Sequence, residues 1–224
     1  DSSRELSRSY HVNILGCIEK PVDPARLSAM LSSIRAPGAT PAKRELHFSI
    51  EEVLHALEKG ELVNFYQPKI SLTDGGVKGV EALIRWQHPK YGLVFPDSFI
   101  PLVEHHGYIN ALTRVVVENV LADSRHWLGQ NKALPVSVNV SMLSLASFAF
   151  MDELCHLING NGMTPGDFLF EITESRVLQD PRKPLEILTR LKLRGFGLAI
   201  DDFGSSYSNL SKLRDYPFDE LKID

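Results

Sequence analysis

From residue 46 onward the chain alternates short β-branched runs with longer stretches of helical period, and a polar group closes run after run. The runs end in Glu81-Ala82-Leu83-Ile84-Arg85-Trp86, Val138-Asn139-Val140-Ser141, Glu171-Ile172-Thr173-Glu174, Asp201-Asp202-Phe203-Gly204 and Lys222-Ile223-Asp224. Strand followed by helix, repeated, calls for parallel strands joined by crossover helices. When such a sheet curls into a barrel, the carboxyl ends of its strands meet around one mouth. A chain of this pattern therefore gathers its carboxylates and an amide in one place.

The individual elements follow from local signals. Ser49 as N-cap with Glu52 three residues on forms a capping box for a helix over 49–59. Strands are expected over 62–72 and 77–86, and the turn Thr73-Asp74-Gly75-Gly76 between them makes this first pair antiparallel. Helices are expected over 96–106, 108–129, 143–159, 184–194 and 206–214, and strands over 135–141, 168–173, 197–201 and 219–224. That is six strands, whereas a closed eight-unit barrel needs roughly 250 residues. The fold class is α/β: a TIM-like (β/α) barrel with an antiparallel first strand pair, expected to be incomplete at its C-terminal end. The chain begins at Asp1 and stops at Asp224 just after a strand-like run, so a piece of a longer protein is expected.

Composition narrows the class of function. With 224 residues, 43% hydrophobic and 23% charged, the chain has the make-up of a globular protein with a sizeable core. A net charge of −4 does not point to a nucleic-acid polymer as partner. No apolar run approaches the ~18 residues of a membrane span, so no membrane association is expected. Cys17 and Cys155 match no metal-ligand spacing, and a reducing, cytoplasmic compartment is the expectation.

Side chains alternate along a strand, so Glu81, Leu83 and Arg85 share one face, as do Ser137, Asn139 and Ser141, and Leu169, Glu171 and Thr173. Carboxylates that converge repel unless a cation lies among them, and their hard oxygens suit Mg²⁺ or Mn²⁺. Asp202 beside Asp201 would allow a second ion, and paired ions are a recurring device for cleaving phosphoesters. Lys222 could orient an attacking water and Arg85 could hold a phosphate oxygen. Each of these residues taken alone fits a structural role better; their joint arrival at strand ends is what favours a site. His105-His106 is a poor metal pair, because neighbours on a helix face different ways. Cys155-His156 reads as helix packing and surface, His88-Pro89 as a loop, and Trp86 and Phe99 as either core or pocket wall.

Taken in order, Phe65-Tyr66-Gln67-Pro68, Glu81-Ala82-Leu83-Ile84-Arg85-Trp86 and the later strand ends through Leu221-Lys222-Ile223-Asp224 resemble the EAL domains, the cyclic di-GMP phosphodiesterases of bacterial signalling. The resemblance covers roughly 48–224. It implies hydrolysis of one phosphodiester bond of cyclic di-GMP to linear pGpG. It also implies Glu81, Asn139, Glu171, Asp201 and Asp202 as metal ligands; Lys222, Glu81 and Asp201 as catalytic; Gln67, Leu83 and Arg85 as substrate-binding; and Glu174 as the residue that steadies the loop after Asp202. Ser206 stands where the family usually has glycine, and the family's further metal-binding glutamate would fall beyond Asp224. The piece alone is therefore expected to be weak or inactive. A homodimer through the EAL domain is expected.

The stretch Arg35-Ala36-Pro37-Gly38-Ala39-Thr40-Pro41-Ala42 is aperiodic and rich in Pro, Gly and Ala, as an interdomain connector would be. Three regions result: 1–34, a linker over 35–45, and the EAL domain over 46–224. Asn13 to Ile18, Lys20-Pro21 and the amphipathic stretch to Ile34 resemble the C-terminal fragment of a response-regulator receiver domain. That implies phosphorelay control by a histidine kinase. The rival readings are a catalytically inactive EAL domain serving as a cyclic di-GMP sensor, a protein-interaction module, and an unrelated barrel acting on another phosphoester.

Overall fold

A computed structural model of the protein describes residues 46–128, 134–173, 182–203 and 216–223. The chain divides into two units, 1–46 and 47–224. The expected receiver fragment and linker, Glu174, Ser206 and the helix expected over 206–214 lie outside the described residues.

Helix α1 (Ile50–Lys59) starts as its capping box requires: the Ser49 hydroxyl accepts from the Glu52 amide at 3.3 Å, and Glu52 Oε2 accepts from the Ser49 amide at 2.8 Å. It stops at Gly60, which takes a left-handed conformation at φ 69°. Strand β1 (Leu62–Ile70) then pairs antiparallel with β2 (Val77–His88), and Gln67 lies opposite Glu81. In the connecting turn Asp74 accepts from the Gly76 amide and pairs with Lys78.

Past β2 the chain forms a short strand that the sequence reading did not anticipate. Strand β3 (Gly92–Val94) pairs antiparallel with the end of β2, Trp86 opposite Val94. His88 belongs to β2 rather than to a loop, and its Nδ1 accepts from the Lys90 amide to close the turn. A 3₁₀ turn over Pro96–Ser98 leads into α2 (Ile100–His105), then α3 (Ile109–Leu128).

The parallel part follows: β4 (Val136–Asn139), α4 (Met142–Leu145), α5 (Phe148–Gly160), β5 (Phe168–Thr173), α6 (Arg182–Leu193), β6 (Gly197–Phe203) and β7 (Glu220–Ile223). One continuous helix was expected over 143–159. The chain instead breaks at Ser147, whose hydroxyl caps a new helix by accepting from the Phe150 amide. Among the described residues the sheet has seven strands, not six, in the order β1-β2-β4-β5-β6-β7 with β3 on the outer end of β2.

This sheet is curled but not closed. β1 and β7 stand at opposite ends of the order, which a flat sheet would hold about 24 Å apart at about 4.8 Å per strand. Yet Lys69 Nζ of β1 lies 2.6 Å from Glu220 Oε1 of β7. The ends therefore approach each other across a shared interior.

One face of the sheet packs under the helices. Along β2, Ala82, Ile84 and Trp86 are buried while Glu81, Leu83 and Arg85 are half-buried, the period of two expected of a strand. Val117, Val120, Leu154, Ile158, Leu188 and Phe196 are among the buried apolar residues of the core. Phe170 and Phe196 stack in it at 4.5 Å. Trp86 and Phe99 are core: both are buried, their rings meet edge to face at 5.9 Å, and the indole N–H donates to Glu61. Among the described residues no helix is long and apolar enough to cross a membrane.

Candidate active site

Asn139, Glu171, Asp201 and Lys222 sit in the carboxyl-terminal halves of their strands, and Glu81, fifth of the twelve residues of β2, lies where β2 pairs with β4. Glu81 lies opposite Ser137, Asn139 opposite Glu171, and Thr173 opposite Asp201.

The carboxylates converge on one cation, the ammonium of Lys222. Its Nζ lies 2.6 Å from Glu171 Oε2, 3.2 Å from Glu81 Oε2 and 3.2 Å from Asp201 Oδ1. Asn139 Nδ2 donates to Glu81 Oε1 at 2.9 Å, which leaves its amide oxygen free of that bond. Glu171 is the most enclosed member, with no exposed side-chain surface. Burial alone would raise its carboxyl, but the ammonium groups of Lys222 and Lys69 hold it below the ordinary value. Burial likewise opposes the charge on Lys222, yet its hydrogen bond to Glu171 and the charges of Glu171, Glu81 and Asp201 push its pKa well above the usual lysine range. Both groups are ionised at neutral pH.

Asp202 follows with φ 56°, the left-handed region that Asp enters more readily than most residues. Its amide donates to Asp201 Oδ1 at 3.0 Å, so the backbone turns sharply where the two carboxylates stand in sequence.

Beside this cluster lies a cavity of about 410 Å³ whose wall includes Leu83, Arg85, Asp97, Asn139, Asp201 and Asp202. The Arg85 guanidinium rests over the half-exposed ring of Phe95 at 5.0 Å and donates to the Ile84 carbonyl. Across the cavity, Ser141 donates to Glu104 at 2.7 Å. Gln67 is exposed on β1 and, like Glu81 and Lys222, does not line this cavity.

The donors available to an ion are carboxylate and amide oxygens, which fit a hard divalent cation and not zinc or copper. Three carboxylates already gather on the Lys222 ammonium, with Lys69 on the far oxygen of Glu171, so the position suits a cation chemically. They are drawn onto the ammonium rather than set as a cage: among the described residues no three acidic, histidine or cysteine side chains are arranged to hold an ion.

Two charged residues that the sequence reading passed over belong to this cluster. Lys69 Nζ is 3.1 Å from Glu171 Oε1 and 2.6 Å from Glu220 Oε1. The signal for Lys69 was available, since it lies two residues beyond Gln67 and so on the same face of β1. The rings of His105 and His106 meet edge to face at 5.1 Å.

Residues 50–224 match the EAL domain family along their whole span. The chain belongs to the EAL domain family. Of curated relatives, cyclic di-GMP phosphodiesterase RocR of Pseudomonas aeruginosa is 33% identical over 216 residues, 95% of this chain and 55% of RocR. Bifunctional diguanylate cyclase/cyclic di-GMP phosphodiesterase MucR of the same organism is 38% identical over 176 residues, 78% of this chain and 26% of MucR. The chain thus spans about half the length of one relative and a quarter of the other. Among solved structures, the PaMucR phosphodiesterase in its c-di-GMP complex superposes with a TM-score of 0.72 at 38% identity, covering 78% of this chain and 71% of that one. The curled α/β sheet with its antiparallel first pair is the fold of that family.

Proposed function

We propose that this EAL domain is the catalytic part of a metal-dependent phosphodiesterase that opens cyclic di-GMP to linear pGpG. The observation that carries the reading is the convergence of Glu81, Glu171 and Asp201 on Lys222, with Asn139 hydrogen-bonded to Glu81, at the strand ends of a fold whose relatives are named for this reaction. Glu81, Asn139, Glu171 and Asp201 would hold one Mg²⁺ or Mn²⁺, and Asp202 would reach a second. Such ions make water a better nucleophile at neutral pH and offset charge on the phosphoryl oxygens.

The protein's own groups do the rest. Arg85 lies in the cavity wall with its guanidinium 5.0 Å from the centre of the Phe95 ring, and would donate to the phosphate oxygens of the dinucleotide. Leu83, on the same face, supplies an apolar wall against the dinucleotide, and Gln67 would bind it from β1. Lys222 stays charged and would orient the attacking water by donating to its oxygen. Water oxygen bonds to phosphorus, the P–O3′ bond breaks, and a proton passes to the departing 3′ oxygen. Glu174 would steady the loop after Asp202. Residues 1–34 would carry the end of a receiver domain through the linker 35–45, with a histidine kinase upstream, and two EAL domains would pair in a cytoplasmic homodimer.

The full-length protein, incubated with cyclic di-GMP and Mg²⁺ or Mn²⁺, is expected to release pGpG detectable by chromatography. Chelator should stop the reaction, and Glu81→Ala should lower its rate at least a hundredfold, as expected on loss of a metal ligand and more than for a supporting residue (~10–100-fold). Folded protein that binds cyclic di-GMP with metal present and releases no pGpG would sink the enzyme in favour of a sensor.

A further inference from the structure

We propose that Lys69 is a positioning residue that reserves one oxygen of Glu171 for a metal ion and thereby sets a preference for Mg²⁺ and Mn²⁺ over Ca²⁺. The proposal rests on the metal-dependent reading above. Its starting point is the way the two oxygens of Glu171 are divided: Oε2 faces Lys222 at 2.6 Å, on the side where Glu81 and Asp201 also reach that lysine, while Oε1 faces Lys69 at 3.1 Å. Oε1 is buried, and what compensates it is its ion pair with the Lys69 ammonium at 3.1 Å. With no exposed side-chain surface on Glu171, water is a poor substitute there.

Lys69 is itself tethered. It projects inward from β1, and Glu220 of β7 holds the same Nζ at 2.6 Å. A lysine gripped at 2.6 Å by one carboxylate and facing a second is a fixed charge, not a loose surface group.

The consequence lies in coordination chemistry. Mg²⁺ demands a near-octahedral shell at about 2.0–2.1 Å and takes a carboxylate through one oxygen, whereas Ca²⁺ accepts more ligands at about 2.3–2.6 Å and often takes both oxygens. With Oε1 held by Lys69, Glu171 offers the mouth a single oxygen. Without Lys69 the carboxylate is free to turn both oxygens to an ion, which favours the larger one. Loss of a nearby positive charge alone would strengthen both divalent ions alike, so the ratio between them isolates positioning from charge.

The test uses the full-length protein as wild type, Lys69→Met, Lys69→Arg and Glu220→Gln. Mg²⁺ and Ca²⁺ binding are measured by calorimetry, and folding is checked by circular dichroism. Lys69→Met is expected to shift the Mg²⁺ to Ca²⁺ affinity ratio at least about tenfold toward Ca²⁺, in line with loss of an outer-shell partner. Lys69→Arg should keep the wild-type ratio, and Glu220→Gln, which frees Lys69 without touching Glu171, should shift it the same way by less. If both ions change by the same factor, or the ratio stays at its wild-type value in folded Lys69→Met and Glu220→Gln, Lys69 has no such role. Wild-type protein that binds neither ion would overturn the metal reading itself.

Discussion

Glu171 shows how one residue's surroundings decide its charge. A carboxylate with no exposed side-chain surface is costly to ionise, and here two ammonium groups keep it ionised. Removing Lys222 takes away the partner shared by Glu81, Glu171 and Asp201. Lys222→Met is expected to destabilise the metal-free protein by about 3 kcal/mol at neutral pH, the order found when one partner of a buried pair is lost. Because Glu171 titrates below its ordinary value in the folded state, the stability it contributes is present above that ordinary value of 4.5 and is lost as pH falls through the depressed one. Urea unfolding curves of wild type and Lys222→Met should therefore differ at pH 7 and converge in acid. A gap that persists unchanged below the carboxylate range would mean that Lys222 stabilises by packing and not by charge.

At the scale of elements, two glycines separate two kinds of constraint. A Cβ on Gly79 would stand 2.8 Å from the Pro135 carbonyl oxygen, which also accepts the Val80 amide at 3.0 Å. That contact is where β4 comes alongside β2, and it sets the height of Asn139 relative to Glu81. Gly60 has open space around it and only the left-handed φ of 69° to satisfy. Gly79→Ala is expected to cost about 1–3 kcal/mol because backbone must move, and Gly60→Ala about 1 kcal/mol for conformational strain alone. Chemical denaturation of both variants checks the order, and a larger loss at Gly60 would refute it. Elements also divide by how much of them was legible. The capping box at Ser49 and the strand Phe168–Thr173 stand where local pattern placed them. β3 is only Gly92–Val94, too short to show a period, and exists because the end of β2 offers it hydrogen-bonding partners. The break at Ser147 is invisible to periodicity because apolar spacing runs on through it; a local hydroxyl–amide bond decides it.

Across the whole molecule, stability should follow position in the sheet. β5 is buried along most of its length and paired on both sides, while β7, four residues long, stands last in the strand order among the described residues, with Leu221 and Ile223 exposed. Amide hydrogen exchange is expected to be slowest at Val138, Phe170 and Leu198 and fastest, within the strands, at Glu220–Ile223. Equal protection of β5 and β7 would show that the sheet opens only as a unit.

The sequence alone determined which residues could form the site and which strand each would occupy. Side chains alternate along a strand, so a polar residue in an apolar run leaves the packed face, and Glu81, Asn139, Glu171, Asp201 and Lys222 could be read as a set, though none of them alone. It could not show what they touch. The division of Glu171 between Lys222 and Lys69 and the tether of Lys69 to Glu220 were decided by tertiary structure, as was the burial of Trp86 and Phe99 in the core. These contacts join residues on strands far apart in the chain. They arise only when the sheet curls, because curling is what brings distant strands within reach of a side chain.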